Sequence, residues 1–320
     1  MKLIVMVPAF NEEGILAETL RSLPASVDGF DELDVIVIDD GSTDATAEIA
    51  RGEGVKVISM GFHAGLARTF ARGLDEALQR GADCIVNFDA DGQYRAEDIP
   101  ALTVPILSGT ADMVLGDRGV AANPHFSPVK RLFQRIGSMV VRLASGIRMN
   151  DAATGFRAYS RKAAMKLMVF SSYTYTLETI IQAGIHGIRT TSVPIETRPP
   201  VRPSRLYTSM ASYIVKAGMT VVRIFTLYRP LRVFVLAASI FVAAGLMLFA
   251  RFLYLFVLGF GQGHIQSLIL GAVLVIVGIQ IGLIGILADL ITINRRLLED
   301  IRGRLIEQAS QSGKGKEVKT

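Results

Sequence analysis

CIVNFDADG, residues 84–92, is the stretch that decides the fold of this chain. The apolar run Cys84–Phe88 predicts a buried strand, and two carboxylates, Asp89 and Asp91, follow where that strand ends. Neighbouring like charges cost stability unless a cation neutralises them. Hard divalent cations prefer carboxylate oxygens, so the pair is a candidate site for Mg²⁺ or Mn²⁺ held against a diphosphate. The alternative is a solvated acidic turn.

The sequence on both sides of this stretch alternates strand-like runs with helix-like periodicity. Strands are predicted at Leu3–Val7, Val35–Ile38, Val55–Ile58, Cys84–Phe88 and Met113–Leu115, and helices at Glu12–Leu23, Ala45–Gly52, Leu66–Arg80 and Asp98–Leu107. This βαβα order, with strands that are apolar throughout, indicates an α/β fold. Its sheet should be mostly parallel, with helices on both faces.

Three polar clusters each follow one of these strands. They are Pro8–Glu13, Asp39–Asp44 and Asp89–Gln93. Ligands of parallel sheets bind at the carboxyl ends of strands, so we expect the clusters on one rim. Backbone groups and the Asn11 side chain can meet a nucleobase or ribose there, and Asp39 or Asp40 can accept hydrogen bonds from either. Simple helix-capping turns would give a similar pattern.

The composition limits the class of partner. The 320 residues carry a net charge of +5, a pI near 9.4 and a mean hydropathy of +0.40. No basic stripe interleaved with aromatic residues is present, so a nucleic-acid partner is not predicted. A phosphate-bearing substrate or an anionic bilayer suits the charge better. The single cysteine, Cys84, excludes an internal disulfide and is expected in the core.

The apolar excess is concentrated near the carboxyl end. Between residues 233 and 293 the formally charged side chains are Arg251 and Asp289. Two transmembrane helices are predicted, at about 233–258 and 267–291. Arginines flank the outer ends and the connecting loop has no Lys or Arg, so the positive-inside rule places both termini in the cytoplasm. The predicted parts are a cytoplasmic catalytic domain 1–205, a juxtamembrane amphipathic helix 206–230, a transmembrane hairpin 231–295 and a cytoplasmic tail 296–320.

Four motifs carry a family resemblance. They are PAFNEE (8–13), VIDDGSTD (37–44), NFDADGQ (87–93) and DAATGFRAY (151–159). Their order and spacing resemble the family-2 glycosyltransferases, which have the GT-A nucleotide-sugar-binding fold. DGQYRAEDIP (91–100) and TGFRAYSRKA (154–163) are similar to the dolichol-phosphate mannose synthase branch and its bacterial polyprenyl-phosphate relatives. The resemblance covers residues 1 to about 205.

The resemblance implies a role for individual residues. Positions that hold the donor nucleoside are matched by Pro8, Asn11, Glu12 and Asp39, with Asp40 adjacent. Asp89 matches a donor contact, Asp91 the metal ligand, and Gln93 a further metal or phosphate contact. Arg118 matches an arginine near the phosphates, although Asp117 stands before it where the family more often has a small residue. Basic residues expected at the acceptor phosphate are Arg131, Arg202 and Arg205, and a sugar or acceptor wall is expected from Asp151, Thr154 and Arg157.

The implied activity is metal-dependent, inverting transfer of a hexose from a GDP- or UDP-linked sugar to dolichyl or undecaprenyl phosphate. A polyprenyl phosphate is already an anion at neutral pH, so no strong base is required. The protein must instead bring two anions together, with a metal on one and arginines on the other. Glu178 falls roughly where relatives with hydroxyl acceptors place a base. Its alternatives are an exposed helix carboxylate or a sugar contact.

Two other functions stay open at this point. A processive or hydroxyl-acceptor membrane glycosyltransferase is the nearest enzyme alternative, although two spans and the absence of tryptophan are unlike a polysaccharide synthase. A non-catalytic nucleotide-sugar-binding membrane protein is the alternative of another class. Small residues of the second span also allow a homo-oligomer, by packing of one hairpin against another. These residues are Gly271, Gly278, Gly282 and Gly285.

Overall fold

The computed structural model describes residues 1–119, 138–139, 141–142, 145–169, 175–198, 226, 230–259 and 265–317. The chain divides into two compact units. The first comprises Met1–Ala217 with Asp300–Thr320, and the second comprises Gly218–Glu299. The predicted helix 206–230 falls outside the described residues apart from residues 226 and 230.

The first unit is built on a seven-stranded sheet. Its strands are β1 Lys2–Ala9, β2 Glu32–Asp39, β3 Lys56–Ser59, β4 Cys84–Asn87, β5 Met113–Asp117, β6 Arg157–Ser160 and β7 Thr190–Pro194. Its helices are α1 Leu16–Ser22, α2 Thr46–Gly52, α3 Leu66–Gln79, α4 Ile99–Leu107, α5 Arg161–Lys166 and α6 Thr176–Ile185. The strand order is β3-β2-β1-β4-β6-β5-β7, and β6 alone runs antiparallel to its neighbours. The predicted α/β fold with a mostly parallel sheet is confirmed.

Helices cover both faces of the sheet, which explains why its central strands carry apolar residues on both faces. Val5 of β1 joins one hydrophobic core with Leu16 of α1 and Leu102 of α4. On the opposite face, Met6 packs against Gly73 of α3, where an added Cβ would lie 3.0 Å from the Met6 sulfur. Both sides of β1 are therefore removed from water.

Helix α1 begins later than the predicted Glu12–Leu23. Asn11 takes a positive φ of 54°, so the chain turns instead of continuing as a helix. The Glu12 carbonyl accepts hydrogen bonds from the N–H groups of Ile15 and Leu16, at 3.1 and 2.9 Å, and this turn leads into the helix. Residues 11–13 thereby lie at the rim of the sheet, before the helix begins.

The second unit contains a helical hairpin. Helix α7 spans Pro230–Val257 and helix α8 spans Ile265–Glu317, of which the part up to Glu299 belongs to this unit. The stretches Pro230–Val257 and Ile265–Asn294 are long and apolar enough to cross a membrane, and only 6% and 17% of their most apolar windows are buried. Such exposure differs from that of a buried core helix, so both are candidate membrane spans at the predicted positions.

Glycines allow the two helices to approach closely. A Cβ added to Gly278 would lie 2.6 Å from Val242, and one added to Gly245 would lie 2.7 Å from the carbonyl oxygen of Gly271. Gly285 packs in the same way against the other helix of the hairpin. Gly271, Gly278 and Gly285 therefore contact the other helix of the same hairpin closely, whereas Gly282 makes only an ordinary contact at 3.7 Å, and packing between hairpins stays a prediction. Close backbone approach of this kind is the usual function of small residues in membrane helices.

Candidate active site

The first two polar clusters meet at the carboxyl ends of the neighbouring strands β1 and β2. The Asn11 N–H donates to the Ser42 hydroxyl at 3.0 Å, and the Asn11 side-chain oxygen accepts from the Thr43 N–H at 2.8 Å. Glu12 follows at the rim and is half-buried, whereas Pro8 lies inside β1 and is buried. The two clusters thus form one bonded edge, as their positions after the strands predict.

Asp39 and Asp40, which follow each other at the end of β2, make different contacts. Each is 3% exposed. Asp39 accepts hydrogen bonds from the Ser42 N–H at 3.0 Å and from the Ser59 hydroxyl at 3.1 Å. Asp40 accepts from two backbone N–H groups just before α3, at 2.7 and 3.0 Å, and contacts His63 Nδ1 at 2.9 Å. Asp40 therefore holds the loop that precedes α3.

Sequence reasoning missed an aromatic group on this loop. His63 stacks on Phe10 with ring centroids 4.0 Å apart, and the neighbouring Phe62 is 62% exposed. Gly41 makes the approach possible, because a Cβ there would lie 2.4 Å from the Phe62 carbonyl carbon. The only sequence signal was an aromatic pair between two glycines, which is also typical of an ordinary loop.

The carboxylate pair lies at the end of β4 on the same rim. Gly92, with φ 69°, turns the chain, and the Gln93 side-chain amide donates to Asp91 Oδ2 at 2.6 Å. Burial raises the pKa of the Asp89 carboxyl above its usual range, and the negative charge of Asp91 raises it further. Two carboxylates that repel each other in this way fit a hard divalent cation.

This pair cannot form a complete metal site from carboxylates alone. Within the described ranges, no group of three or more His, Cys, Asp and Glu side chains converges to hold a metal ion. Further oxygen ligands must come from elsewhere. The amide oxygen of Gln93 and the phosphates of a bound ligand are suitable sources, because both are hard donors.

Arg118 approaches the carboxylate pair from the end of β5. Its guanidinium makes a two-pronged ion pair with Asp151, with Nε 2.6 Å from Oδ2 and Nη2 2.9 Å from Oδ1. Its positive charge partly offsets the effects that raise the pKa of Asp89. Asp117 turns its carboxylate to the Gly119 N–H at 2.9 Å. The unusual residue before Arg118 therefore does not prevent Arg118 from facing the pair.

The expected acceptor wall is buried. Asp151, Thr154 and Arg157 are 3%, 0% and 0% exposed. The Arg157 guanidinium donates to four oxygen atoms, among them the carbonyls of Thr154 and Thr176, at 2.8 to 2.9 Å. Arg157 pairs with Asn87 across the antiparallel β4–β6 ladder, and its guanidinium reaches Thr176 and Thr179 of α6. Its contacts hold the protein together instead of forming an open wall.

Glu178 is also buried. It lies in α6 and is 1% exposed, and the Gln182 amide donates to its carboxylate at 3.4 Å. The alternative of an exposed helix carboxylate is therefore wrong. The physical reason is that α6 is covered along most of its length, including the positions around Glu178.

The chain that follows β7 returns to the carboxylate pair. Residues 196–198 form a strap along the two residues that follow the turn at Gly92: Tyr94 and Thr197 make an antiparallel bridge, and the Arg198 N–H donates to the Gln93 carbonyl at 2.8 Å. The strap brings the start of the basic segment 198–205 next to Gln93. The remaining basic residues of the predicted acceptor site lie outside the described residues, namely Arg131, Arg202 and Arg205.

A cavity opens beside the carboxylate pair, between α1 and the turn that contains Asp91. Its volume is ≈ 720 Å³, which lies in the range of small-molecule sites. Glu12, Glu18 and Gln93 contribute to its walls, and Arg198 of the strap lies at its edge. Asn11 of the rim, Asp91 of the carboxylate pair and Arg198 of the strap thus line one space.

Comparison with known proteins places this geometry in context. The model of glycosyl transferase family 2 matches residues 4–168. The chain is 35% identical over 201 residues to an uncharacterized protein of Methanocaldococcus jannaschii. This similarity covers 61% of this chain and 81% of that protein. The chain is also 29% identical over 206 residues to an undecaprenyl-phosphate mannosyltransferase of Micrococcus luteus. This second similarity covers 61% of this chain and 83% of that protein.

A solved structure is similar in fold. Glucosyl-3-phosphoglycerate synthase from Mycobacterium tuberculosis, in complex with Mn²⁺, UDP and glucosyl-3-phosphoglycerate, superposes with a TM-score of 0.53. The two chains are 23% identical, and the similarity covers 70% of this chain and 78% of that one. At this identity the similarity concerns the fold.

Proposed function

The chain belongs to glycosyl transferase family 2 and is a glycosyltransferase with the GT-A fold, and we propose that it transfers a hexose from a nucleotide diphosphate sugar to a polyprenyl phosphate. The donor carries GDP or UDP, and the lipid is dolichyl or undecaprenyl phosphate. The relative from Micrococcus luteus is named for the second lipid. The proposed transfer is a single displacement that inverts the anomeric carbon.

The strap is the observation that carries this proposal. Donor diphosphate and acceptor phosphate are both anions, so each needs positive charge before they can approach. The Arg198 N–H is bonded to the Gln93 carbonyl at 2.8 Å, directly beside the carboxylate pair. Arg202 follows four residues later in the sequence. The basic segment therefore begins next to the proposed donor site.

The donor side is assigned to the rim and the carboxylate pair. The residues proposed to contact the nucleoside lie at the carboxyl ends of β1 and β2. They are Pro8, Asn11, Glu12 and Asp39. Asp40 supports the adjacent loop. Asp91 and Gln93 would hold the Mg²⁺ or Mn²⁺ ion, with Asp89 beside them at the donor. When bound there, a divalent ion would neutralise the negative charge that develops on the diphosphate. Arg118, held by Asp151, faces the same phosphates.

The proposed reaction needs no general base. An oxygen of the polyprenyl phosphate is already deprotonated, and it attacks the anomeric carbon while the bond from that carbon to the diphosphate breaks. The nucleoside diphosphate leaves, and an α-linked donor gives a β-linked lipid phosphosugar. Burial of Glu178, 1% exposed in α6, agrees with a reaction in which this carboxylate removes no proton from the acceptor.

We also propose that α7 and α8 anchor the enzyme to the membrane with the catalytic domain and both termini in the cytoplasm. Arg229 and Arg232 precede or begin the first span, Arg295 and Arg296 follow the second, and residues 259–266 between them contain no Lys or Arg. The proposed division is a catalytic domain 1–205, a juxtamembrane helix 206–230, a hairpin 231–295 and a tail 296–320.

Reconstituted transfer tests the proposal. Purified full-length protein in detergent micelles is incubated with Mn²⁺, undecaprenyl or dolichyl phosphate, and radiolabelled GDP-mannose, UDP-glucose or UDP-N-acetylglucosamine in turn. The proposal predicts a lipid product that carries one sugar. A growing polymer would show a processive enzyme, and nucleotide-sugar binding without transfer would show a non-catalytic binder. Either result overturns the proposal.

Two variants separate the donor and acceptor sides. Asp91→Ala should abolish transfer, because the metal ion loses a ligand and the diphosphate loses its countercharge. Arg202→Ala should mainly raise the KM for the polyprenyl phosphate and leave the KM for the donor within about twofold. Equal loss of donor and acceptor affinity in Arg202→Ala would contradict its assignment to the acceptor.

A further inference from the structure

Asn87 is a buried polar residue that opens the motif NFDADGQ, but neither the resemblance nor the proposed reaction gives it a role. It ends β4, two residues before Asp89, and is 0% exposed. Strand side chains alternate between faces, so Asn87 lies on the face of the sheet opposite the Val86 and Phe88 core. A polar side chain at such a position costs stability unless its hydrogen bonds compensate.

The Asn87 amide joins three separate segments of the chain. Its Nδ2 group lies 2.8 Å from the Gly155 carbonyl oxygen, 2.9 Å from the Tyr175 hydroxyl and 3.4 Å from Asp89 Oδ1. Gly155 belongs to the loop that enters β6, and Tyr175 immediately precedes α6. One amide thus connects the end of β4, which leads into the carboxylate pair, with the loop before β6 and with the residue that precedes α6.

Tyr175 and Gly155 are themselves tightly constrained. The Tyr175 ring is 0% exposed and stacks on Phe70 at 3.8 Å with an interplanar angle of 5°. A Cβ on Gly155 would lie 2.7 Å from Asp89 Oδ2 and 3.0 Å from the Tyr175 hydroxyl. The Asp89 carboxylate therefore fits against Gly155 because that residue has no Cβ, and the Asn87 amide contacts Asp89, Gly155 and Tyr175 together.

We propose that Asn87 and Tyr175 are positioning residues that fix the Asp89 carboxylate toward the metal-bound donor diphosphate. This inference rests on the proposed function only in that the donor binds beside Asp89 with a divalent ion. Nothing in it depends on the acceptor. The pair acts before chemistry, by holding Asp89 in the orientation that the donor requires, and the two residues should act as one unit.

Metal-dependent nucleotide binding tests this inference without any transfer reaction. The dissociation constants of UDP and GDP are measured by calorimetry on the full chain in detergent, with and without Mn²⁺. Tyr175→Phe removes one hydroxyl and should weaken binding in the presence of Mn²⁺ about three- to tenfold, with little change in its absence. Asn87→Leu should weaken it at least as much, and the double variant should add little further loss.

Tyr159→Phe is the matched control. Tyr159 is also a fully buried tyrosine that packs against Phe70, with ring centroids 5.8 Å apart, but it lies in β6 outside the contacts of Asn87. The Tyr159→Phe variant should bind UDP and GDP with the affinity of the wild type, both with and without Mn²⁺. Unchanged Mn²⁺-dependent binding in Tyr175→Phe, or an equal loss in Tyr159→Phe, would overturn the inference even if both variants melt at a lower temperature.

The two proposals fail in different ways. If the wild type binds a nucleotide with Mn²⁺ but makes no lipid product, the polyprenyl-phosphate assignment fails and the positioning of Asp89 is still decided by the variants. If the wild type shows no Mn²⁺-dependent nucleotide binding, both proposals are overturned.

Discussion

Replacing Gly155 by alanine should displace the Asp89 carboxylate while leaving the sheet intact. The added Cβ would lie 2.7 Å from Oδ2 and 3.0 Å from Oδ1 of Asp89. Carbon and oxygen atoms in ordinary contact stay about 3.5 Å apart, so the carboxylate or the Gly155 backbone must shift by about 0.8 Å. A misplacement of this size costs up to about 100-fold in rate. We therefore expect kcat/KM to fall about 10- to 100-fold.

The assay is sugar transfer to undecaprenyl phosphate in detergent, with kcat/KM measured at varied donor and Mn²⁺ concentrations. Overpacking should also lower the free energy of unfolding by about 1–3 kcal/mol, which a melting curve detects. Gly52→Ala is the matched control, since Gly52 ends α2 and a Cβ there meets nothing within 4 Å. Gly52→Ala should change neither kcat/KM nor the free energy of unfolding. A Gly155→Ala enzyme within twofold of the wild type would refute the reasoning.

Further variants test the buried groups and the hairpin. Glu178→Gln should keep kcat within about threefold of the wild type, since no base is needed; loss comparable to that of a metal-ligand variant would contradict this. Arg157→Met should lower the free energy of unfolding by more than about 3 kcal/mol, because four oxygen atoms lose their donor; an unchanged melting temperature would disprove that role. Gly278→Ala should destabilise the hairpin in detergent, where its Cβ would lie 2.6 Å from a valine, whereas Gly282→Ala, with its nearest neighbour at 3.7 Å, should not. The ion pair of Asp112 lowers the pKa of this carboxyl, so the pair stabilises the fold above about pH 4 and is lost as the pH falls through the lower folded pKa. Asp112→Asn should therefore lower the melting temperature only slightly at pH 7, because the arginine partner is more than half exposed and solvent screens the pair, and the difference should shrink below about pH 4.

The order of strands and helices in the first 117 residues follows from local pattern. Continuous Val- and Ile-rich runs predict strands covered on both faces, and the polar clusters after them mark one edge of the sheet. The start of α1 could not be placed, because it depends on the positive φ of Asn11. The position of β6 between β4 and β5 also depends on pairing between distant residues, which single-sequence patterns do not contain.

Burial of charged side chains was the harder part to predict from the sequence. Arg157 and Glu178 stand in polar-looking stretches, yet the structure buries both, because Arg157 bonds to Thr176 and Thr179 of α6 and most of α6 is itself covered. The contact between the strap and Gln93 joins residues about one hundred positions apart. Such contacts arise from tertiary packing, whereas motif spacing identified the carboxylate pair and the rim.

The central claim is that the acceptor is a phosphate anion, and a comparison of two lipids tests it most directly. The full-length enzyme is given the same labelled donor and Mn²⁺ with either undecaprenyl phosphate or undecaprenol, and lipid-linked label is measured. The account predicts a singly glycosylated product with the phosphate and none above background with the alcohol. Comparable transfer to the alcohol would contradict it, since that reaction requires a base to remove the hydroxyl proton.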